Sequence, residues 1–246
     1  MSAVLAVTGI SHRFGGLQVL SDVGFAAERG EIVALIGPNG AGKTTLLNIL
    51  SGVIRPDAGE VRLAGVRIDR LSPHRIARLG LARTFQNLRL FPSLTVLEHV
   101  CVALASGPRE RRALLASATS PASVAEGRSI LFRLGLDGYR DSRAGALPYG
   151  LQRRLEIARA IARTPRLLLL DEPSAGLAAE DIALLVRLIG ELAQEGLSVV
   201  LIEHNMAIVR NLASRVVVLD HGVAIASGPL AQVATDPAVV EAYLGD

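Results

Sequence analysis

Apolar residues along this chain fall into two rhythms. Segments 3–7, 19–27 and 60–68 are short apolar-rich runs separated by turn residues, which predicts strands of an antiparallel layer near the N-terminus. Glu31–Ile36 is almost continuously apolar and predicts a buried strand, followed by a glycine-rich turn and an apolar-periodic helix ending near Gly52. From about Asn87 to Arg163 the pattern becomes helical, with an Ala/Ser-rich patch at Ala113–Gly127 expected as a surface connection. Strand signals return at Leu167–Asp171, Ser198–Glu203, Val216–Leu219 and Val223–Ala226, with a helix over Asp181–Glu195 between the first two. Near-continuous apolar strands alternating with helices predict an α/β fold whose mostly parallel sheet is covered by helices. We expect one domain over residues 1–246, with a helical subdomain inserted at 87–163.

Within that insertion, Gly150 is expected to open a helix. Leu151, Leu155, Ala158 and Ala162 recur at helical spacing on its apolar side. Arg153, Arg154, Glu156, Arg159 and Arg163 fall on the faces expected to be wetter. The positive end of such a helix suits a phosphate.

Composition narrows the picture. Half of the 246 residues are hydrophobic but only 3% are aromatic, so Leu, Val, Ile and Ala must build the core. No window approaches the roughly 18–20 uninterrupted apolar residues of a membrane span, and the first residues do not resemble a signal peptide. The expected location is cytoplasmic. One cysteine, Cys101, allows no intrachain disulfide and no cysteine-based metal site. The net charge of +3 comes from scattered arginines without a basic run, which argues against a nucleic-acid partner. Of the 26 basic residues all but Lys43 are arginine. A position that keeps lysine in such a chain needs a compact ammonium in place of a planar fork.

Lys43 lies in Gly37-Pro38-Asn39-Gly40-Ala41-Gly42-Lys43-Thr44, a phosphate-binding loop between the predicted strand and helix. The glycines allow backbone N–H groups to converge on phosphate oxygens. Lys43 would reach the β and γ phosphates, Thr44 would place its hydroxyl on Mg²⁺, and Thr45 follows within the same nucleotide-binding stretch. Leu167–Leu170 then delivers Asp171 and Glu172 at a strand end, the edge where ligands of open α/β sheets bind. Asp171 is the candidate Mg²⁺ residue, and Glu172 the group that polarises the attacking water. Together these features predict a P-loop NTPase (RecA-like) core that binds a nucleoside triphosphate and Mg²⁺.

Arg83-Thr84-Phe85-Gln86, Leu147-Pro148-Tyr149-Gly150-Leu151-Gln152-Arg153-Arg154, Asp171-Glu172-Pro173 and Glu203-His204-Asn205 follow in the order found in ABC-transporter ATPases, and the likeness spans essentially the whole chain. With Phe14-Gly15-Gly16 and the closing Ala242-Tyr243-Leu244-Gly245, the sequence most resembles the branched-chain (hydrophobic) amino acid transport branch. That resemblance implies Phe14 stacking on adenine. It implies Gln86 at Mg²⁺ and the γ-phosphate, His204 on the γ-phosphate and attacking water, and Pro148, Tyr149 and Gly150 capping the ATP of an opposite subunit. The implied partners are a second ATPase chain, preferably a different one, transmembrane permease subunits and, indirectly, a substrate-binding protein. The implied location is the inner face of the cell membrane. Two departures stand out. Pro148, Tyr149 and Leu151 replace Ser, Gly and Gln of the common Leu-Ser-Gly-Gly-Gln signature, and Ala178 stands where an Asp is usual. A GTPase is disfavoured because no Asn-Lys-x-Asp motif occurs. A soluble ABC ATPase acting on DNA or ribosomes is disfavoured by length. Lipopolysaccharide export and urea or short-amide import remain the alternatives within transport.

Overall fold

The computed structural model describes residues 3–106 and 120–244. Its centre is a six-stranded sheet built from β3 (Ile32–Ile36), β6 (Leu81–Arg83), β7 (Leu167–Asp171), β8 (Ser198–Ile202), β9 (Arg215–Asp220) and β10 (Val223–Gly228). The order is β10-β9-β3-β8-β7-β6, parallel throughout except for the edge hairpin β9–β10. A second, antiparallel sheet has the order β2-β1-β4-β5, from β1 (Leu5–Phe14), β2 (Leu17–Ala27), β4 (Ala58–Leu63) and β5 (Val66–Arg67).

The apolar runs are explained by two cores, one on each face of the parallel sheet. Successive side chains of a strand point to opposite faces. Leu167 and Leu169 accordingly join a cluster with Leu5, Ile10 and Leu20 of the antiparallel sheet, and with Leu46 and Leu47 of helix α1 (Lys43–Leu50). Leu168 and Leu170 join the opposite cluster, formed with the helices. That second cluster contains Val96 and Val100 of α3 (Val96–Ala105), Leu131 of α4 (Pro121–Arg133), Leu155 and Ala158 of α5 (Tyr149–Ile161), and Leu185 and Ile189 of α6 (Ala179–Gln194). A strand buried on both faces has no room for alternation, so all five residues of β3, β7 and β8 are buried.

Short elements complete the chain: α2 (Pro73–Arg78), α7 (Met206–Leu212), α8 (Leu230–Val233) and α9 (Pro237–Leu244). Helix α3 is fixed at its start by a capping box, in which Glu98 N–H donates to Thr95 Oγ1 and Thr95 N–H to the Glu98 carboxylate.

Several expectations need correction. Residues 60–68 form a hairpin about Ala64-Gly65, both at positive φ, and not one strand. Helix does not begin near Asn87 but at Val96, behind β6, whose three residues are too few for a period to register. Of the Ala113–Gly127 patch, 113–119 lies outside the described residues. The remainder is largely helical, because Ser120 caps α4 through its hydroxyl and Pro121 occupies the first turn. Helix α5 begins at Tyr149 with Pro148 as its cap, one residue before Gly150. Arg153 and Glu156 are not on a wet face. They are 1% and 2% exposed, as an ion pair of 2.9 Å sealed against residues 85–86.

Candidate nucleotide and catalytic site

The loop 37–44 connects the central strand β3 to α1, and its shape depends on glycine. Gly37 and Gly42 have φ of 146° and 98°. A Cβ on Gly37 would lie 1.9 Å from the Leu219 carbonyl oxygen, and one on Gly42 would lie 2.9 Å from that of Val19. The loop is therefore pressed onto β9 and β2, with Asn39 and Gly40 exposed at its crest. Ala41 N–H donates to the Pro38 carbonyl (3.3 Å), tightening the turn. Lys43 Nζ folds back to donate to the carbonyls of Gly37 and Pro38, both at 2.7 Å. Burial lowers the Lys43 pKa, and the nearby charge of Glu172 opposes that shift. Thr44 is exposed and Thr45 half-buried on the first turn of α1.

Two strands away, β7 ends in the acidic pair. Asp171 is buried and its Oδ2 accepts from Arg83 Nη2 at 3.1 Å. The other nitrogen of that fork, Nη1, donates to Asn48 Oδ1 (2.7 Å) and Ser51 Oγ (2.8 Å) on and just after α1. Arg83 thus ties the acid of β7 to the helix that follows the phosphate loop. Burial raises the Asp171 pKa, while Arg83 pulls it down and Glu172 adds to the rise.

Glu172 is the first residue beyond the strand, and its backbone sits in the left-handed region (φ 47°). For a residue with a Cβ that conformation costs on the order of 1–3 kcal/mol. It persists here because Glu172 N–H remains bonded to the Ile202 carbonyl (3.0 Å) while the side chain turns into the cleft. There the carboxylate is bracketed. Gln86 Nε2 donates to Oε2 at 3.0 Å, and His204 Nε2 lies 3.1 Å from Oε1, donating in the tautomer that carries its proton on Nε2. Three residues 86, 172 and 204, far apart in sequence, meet at one carboxylate.

Sequence reasoning did not assign roles to Arg83 or Glu203, although both stand in quoted motifs. Glu203 is 3% exposed and its carboxylate accepts from the N–H groups of Ser174 (3.0 Å), His204 (3.1 Å) and Asn205 (3.3 Å). It pins the histidine's loop to the one that follows Glu172. A glutamate ending an otherwise apolar strand was the available signal.

The remaining candidates lie apart from this cluster. Phe14 is 51% exposed at the β1–β2 turn and its ring stands edge-on to His12, 4.7 Å between centroids. Pro148 and Tyr149 are exposed at the start of α5, and the Tyr149 ring lies against Gly176 in the loop after β7. A Cβ on Gly150 would fall 2.2 Å from Asp181 Oδ2, so a side chain there would displace the Asp181 carboxylate.

A glycine cradle with one inward-turned ammonium, on the middle strand of a parallel sheet, is the apparatus of P-loop nucleoside triphosphatases. Comparison with known proteins carries the assignment further. Residues 20–175 match the family model described as ABC transporter, and residues 225–246 match that of the branched-chain amino acid ATP-binding cassette transporter. The high-affinity branched-chain amino acid transport ATP-binding protein BraF of Pseudomonas aeruginosa is 40% identical, over 99% of this chain and 98% of its own length. The corresponding protein LivG of Escherichia coli is also 40% identical with the same coverage. Among solved structures, the ATP-binding cassette MJ1267 of an ABC transporter, in its ADP conformation, superposes with a TM-score of 0.88 at 30% identity over both whole chains. The chain belongs to the ABC transporter ATP-binding family.

The solitary lysine makes the phosphate loop testable by chemistry. Lys43 is 6% exposed and already engaged by two carbonyls, so acylating reagents should modify it slowly, giving at most one adduct beyond that on the N-terminus. Addition of MgATP should suppress that adduct in intact-mass spectra. Equal labelling with and without nucleotide would contradict the assigned role of Lys43.

Proposed function

We propose that this chain is the ATP-hydrolysing motor of an importer for branched-chain or other amino acids, working from the inner face of the cell membrane. The observation that carries the catalytic half of this reading is the bracketing of Glu172 by Gln86 and His204. Glu172 is positioned to take a proton from the attacking water. His204, its imidazole already aimed at that carboxylate, holds the water and the γ-phosphate. Lys43 would leave the carbonyls of Gly37 and Pro38 for the β and γ phosphates, exchanging two neutral acceptors for charged ones. Such transfer depends on positioning and charge stabilisation more than on covalent chemistry by the protein.

The donor set fits Mg²⁺. That ion takes oxygen ligands, retains several waters and needs only one or two protein groups beside the phosphates. Thr44 offers an exposed hydroxyl, Asp171 keeps Oδ1 free of Arg83, and the Gln86 amide oxygen is not used by its bond to Glu172. Mg²⁺ would neutralise charge on the β and γ phosphates. Phe14, exposed beside the cradle's supporting strand β2, would stack on adenine. Pro148, Tyr149 and Gly150 would cap the nucleotide of a second ATPase chain, and the residues at 87–163 act as the helical subdomain that carries them.

The amino acid substrate rests on the likeness to BraF and LivG and on the match over residues 225–246. The same likeness supports permease partners and a substrate-binding protein. A second, different ATPase chain fits better than a second copy, because two copies of this one would put the altered signature in both composite sites. Co-purification from the native host tests the reading. The chain should bring down membrane permease subunits and a second cassette, and the cognate binding protein should retain leucine, isoleucine or valine in a thermal-shift screen. A binding protein stabilised only by sugars, urea or lipid would refute the substrate assignment.

A further inference from the structure

Tyr149 occupies a signature position where the common sequence has glycine, and its side chain is turned to the interior of its own chain. Its hydroxyl oxygen accepts from Arg153 Nη2 at 3.1 Å, and the same nitrogen donates to the Gln86 carbonyl at 2.9 Å. The other nitrogen of the fork, Nη1, donates to the Phe85 carbonyl and to Glu156, both at 2.9 Å. Glu156 in turn accepts the Phe85 N–H at 3.2 Å. Residues 85 and 86 are thus gripped on both polar backbone edges by one turn of α5, and the grip ends at the Tyr149 hydroxyl. The tyrosine ring also rests on Gly176, where an added Cβ would lie 3.3 Å from Cε1. The side chain thus links three segments that matter to the site: the start of α5, the loop after Glu172 by direct contact, and the Gln86 segment through Arg153.

We infer that Tyr149 is a positioning residue for Gln86, joining the partner-facing start of α5 to this chain's own catalytic carboxylate. The path is short: Tyr149 hydroxyl, Arg153 guanidinium, Gln86 backbone, Gln86 amide, Glu172. Arg153 is 1% exposed and its two terminal nitrogens bond to Phe85, Gln86, Glu156 and Tyr149, so a shift of the tyrosine is passed to residue 86 and not absorbed by solvent. The hydroxyl retains its own proton for a further acceptor, and the residue is 42% exposed. Contact of Tyr149 with the nucleotide of the opposite chain would then bear on Gln86 in this one. The inference deepens the proposed function and rests on its reading of Gln86 and Glu172.

Tyr149→Phe removes the hydroxyl and keeps the ring on Gly176. Hydrogen exchange on the purified chain is the first readout: amides of residues 84–90 should exchange faster, with those of Leu167–Asp171 unchanged. Turnover of the purified transporter is the second. Loss of a bond to a charged donor predicts kcat lower by about tenfold, with KM for ATP nearly unaltered. The third is a cycle with Gln86→Ala. If Tyr149 acts through Gln86, the double variant turns over no more slowly than Gln86→Ala alone. Multiplying losses, or unchanged exchange at 84–90, would overturn the inference. Wild-type turnover in Gln86→Ala would instead overturn the reading of Gln86, while the exchange data would still judge the mechanical link.

Discussion

Glu172→Gln is expected to slow ATP turnover by about 10²–10⁴-fold, the range spanned by general acid–base groups. The substitution preserves shape but removes the carboxylate to which both Gln86 and His204 are bonded. A glutamine there cannot take a proton, and its amide nitrogen would face a donor on one side. The phosphate loop is untouched, since Lys43 is held by Gly37 and Pro38. ATP affinity should therefore be retained, and a stable ATP-bound pair of cassettes should accumulate on gel filtration. Turnover near the wild-type rate would mean that another group activates the water. A variant that also loses nucleotide binding would mean that Glu172 supports the cradle, a structural role.

Arg153→Met is expected to destabilise the fold by about 3–5 kcal/mol, the cost of leaving one member of a buried ion pair behind. That is a large part of the roughly 5–15 kcal/mol available to a domain. Four groups would lose a donor: the Glu156 carboxylate, the carbonyls of Phe85 and Gln86, and the Tyr149 hydroxyl oxygen. Burial already raises the Glu156 pKa above 4.5, against the opposing pull of the Phe85 N–H and Arg153. Without Arg153 it rises further, and the folded state holds a proton that the unfolded state releases. A carboxyl raised in this way contributes stability below its unfolded pKa and loses it as pH climbs toward the folded value. The deficit in urea unfolding should accordingly be smaller near pH 4.5 than at pH 8. A deficit independent of pH would show that packing, and not the stranded charge, sets the cost.

The contrast between Arg153 and Lys43 shows which parts of the molecule were legible in the sequence. Lys43, Asp171 and Glu172 announce themselves because local patterns place them: a glycine loop between strand and helix, and an acid pair closing an apolar run. The parallel sheet was legible for the same reason, since strands buried on both faces lose alternation and read as unbroken runs. Arg153 and Glu156 carry no such mark. Helical periodicity assigns any charged residue to the wet face, and only tertiary structure shows that residues 85–86 cover this one. Arg83 and Glu203 were hidden differently. Each stands in a recognisable motif, but its partners Asn48, Asp171 and Ser174 come from other elements that local spacing cannot bring together. The three-residue strand β6 was invisible because its pairing with β7 makes it a strand, not its own pattern.

The altered positions of the signature sharpen the question of how the motor is assembled. Pro148 supplies neither the serine hydroxyl nor an N–H, and Tyr149 spends its oxygen on Arg153. The composite site built from this chain's Lys43, Asp171, Glu172 and His204 is expected to work best against a partner with the ordinary signature. The most direct test of the whole account is ATP turnover by the purified transporter in proteoliposomes, measured with and without its amino acid-loaded binding protein. The account predicts that the loaded binding protein accelerates turnover, and that Glu172→Gln abolishes the accelerated turnover and amino acid uptake together. Uptake that survives Glu172→Gln, or turnover indifferent to the membrane subunits and the loaded binding protein, would contradict it.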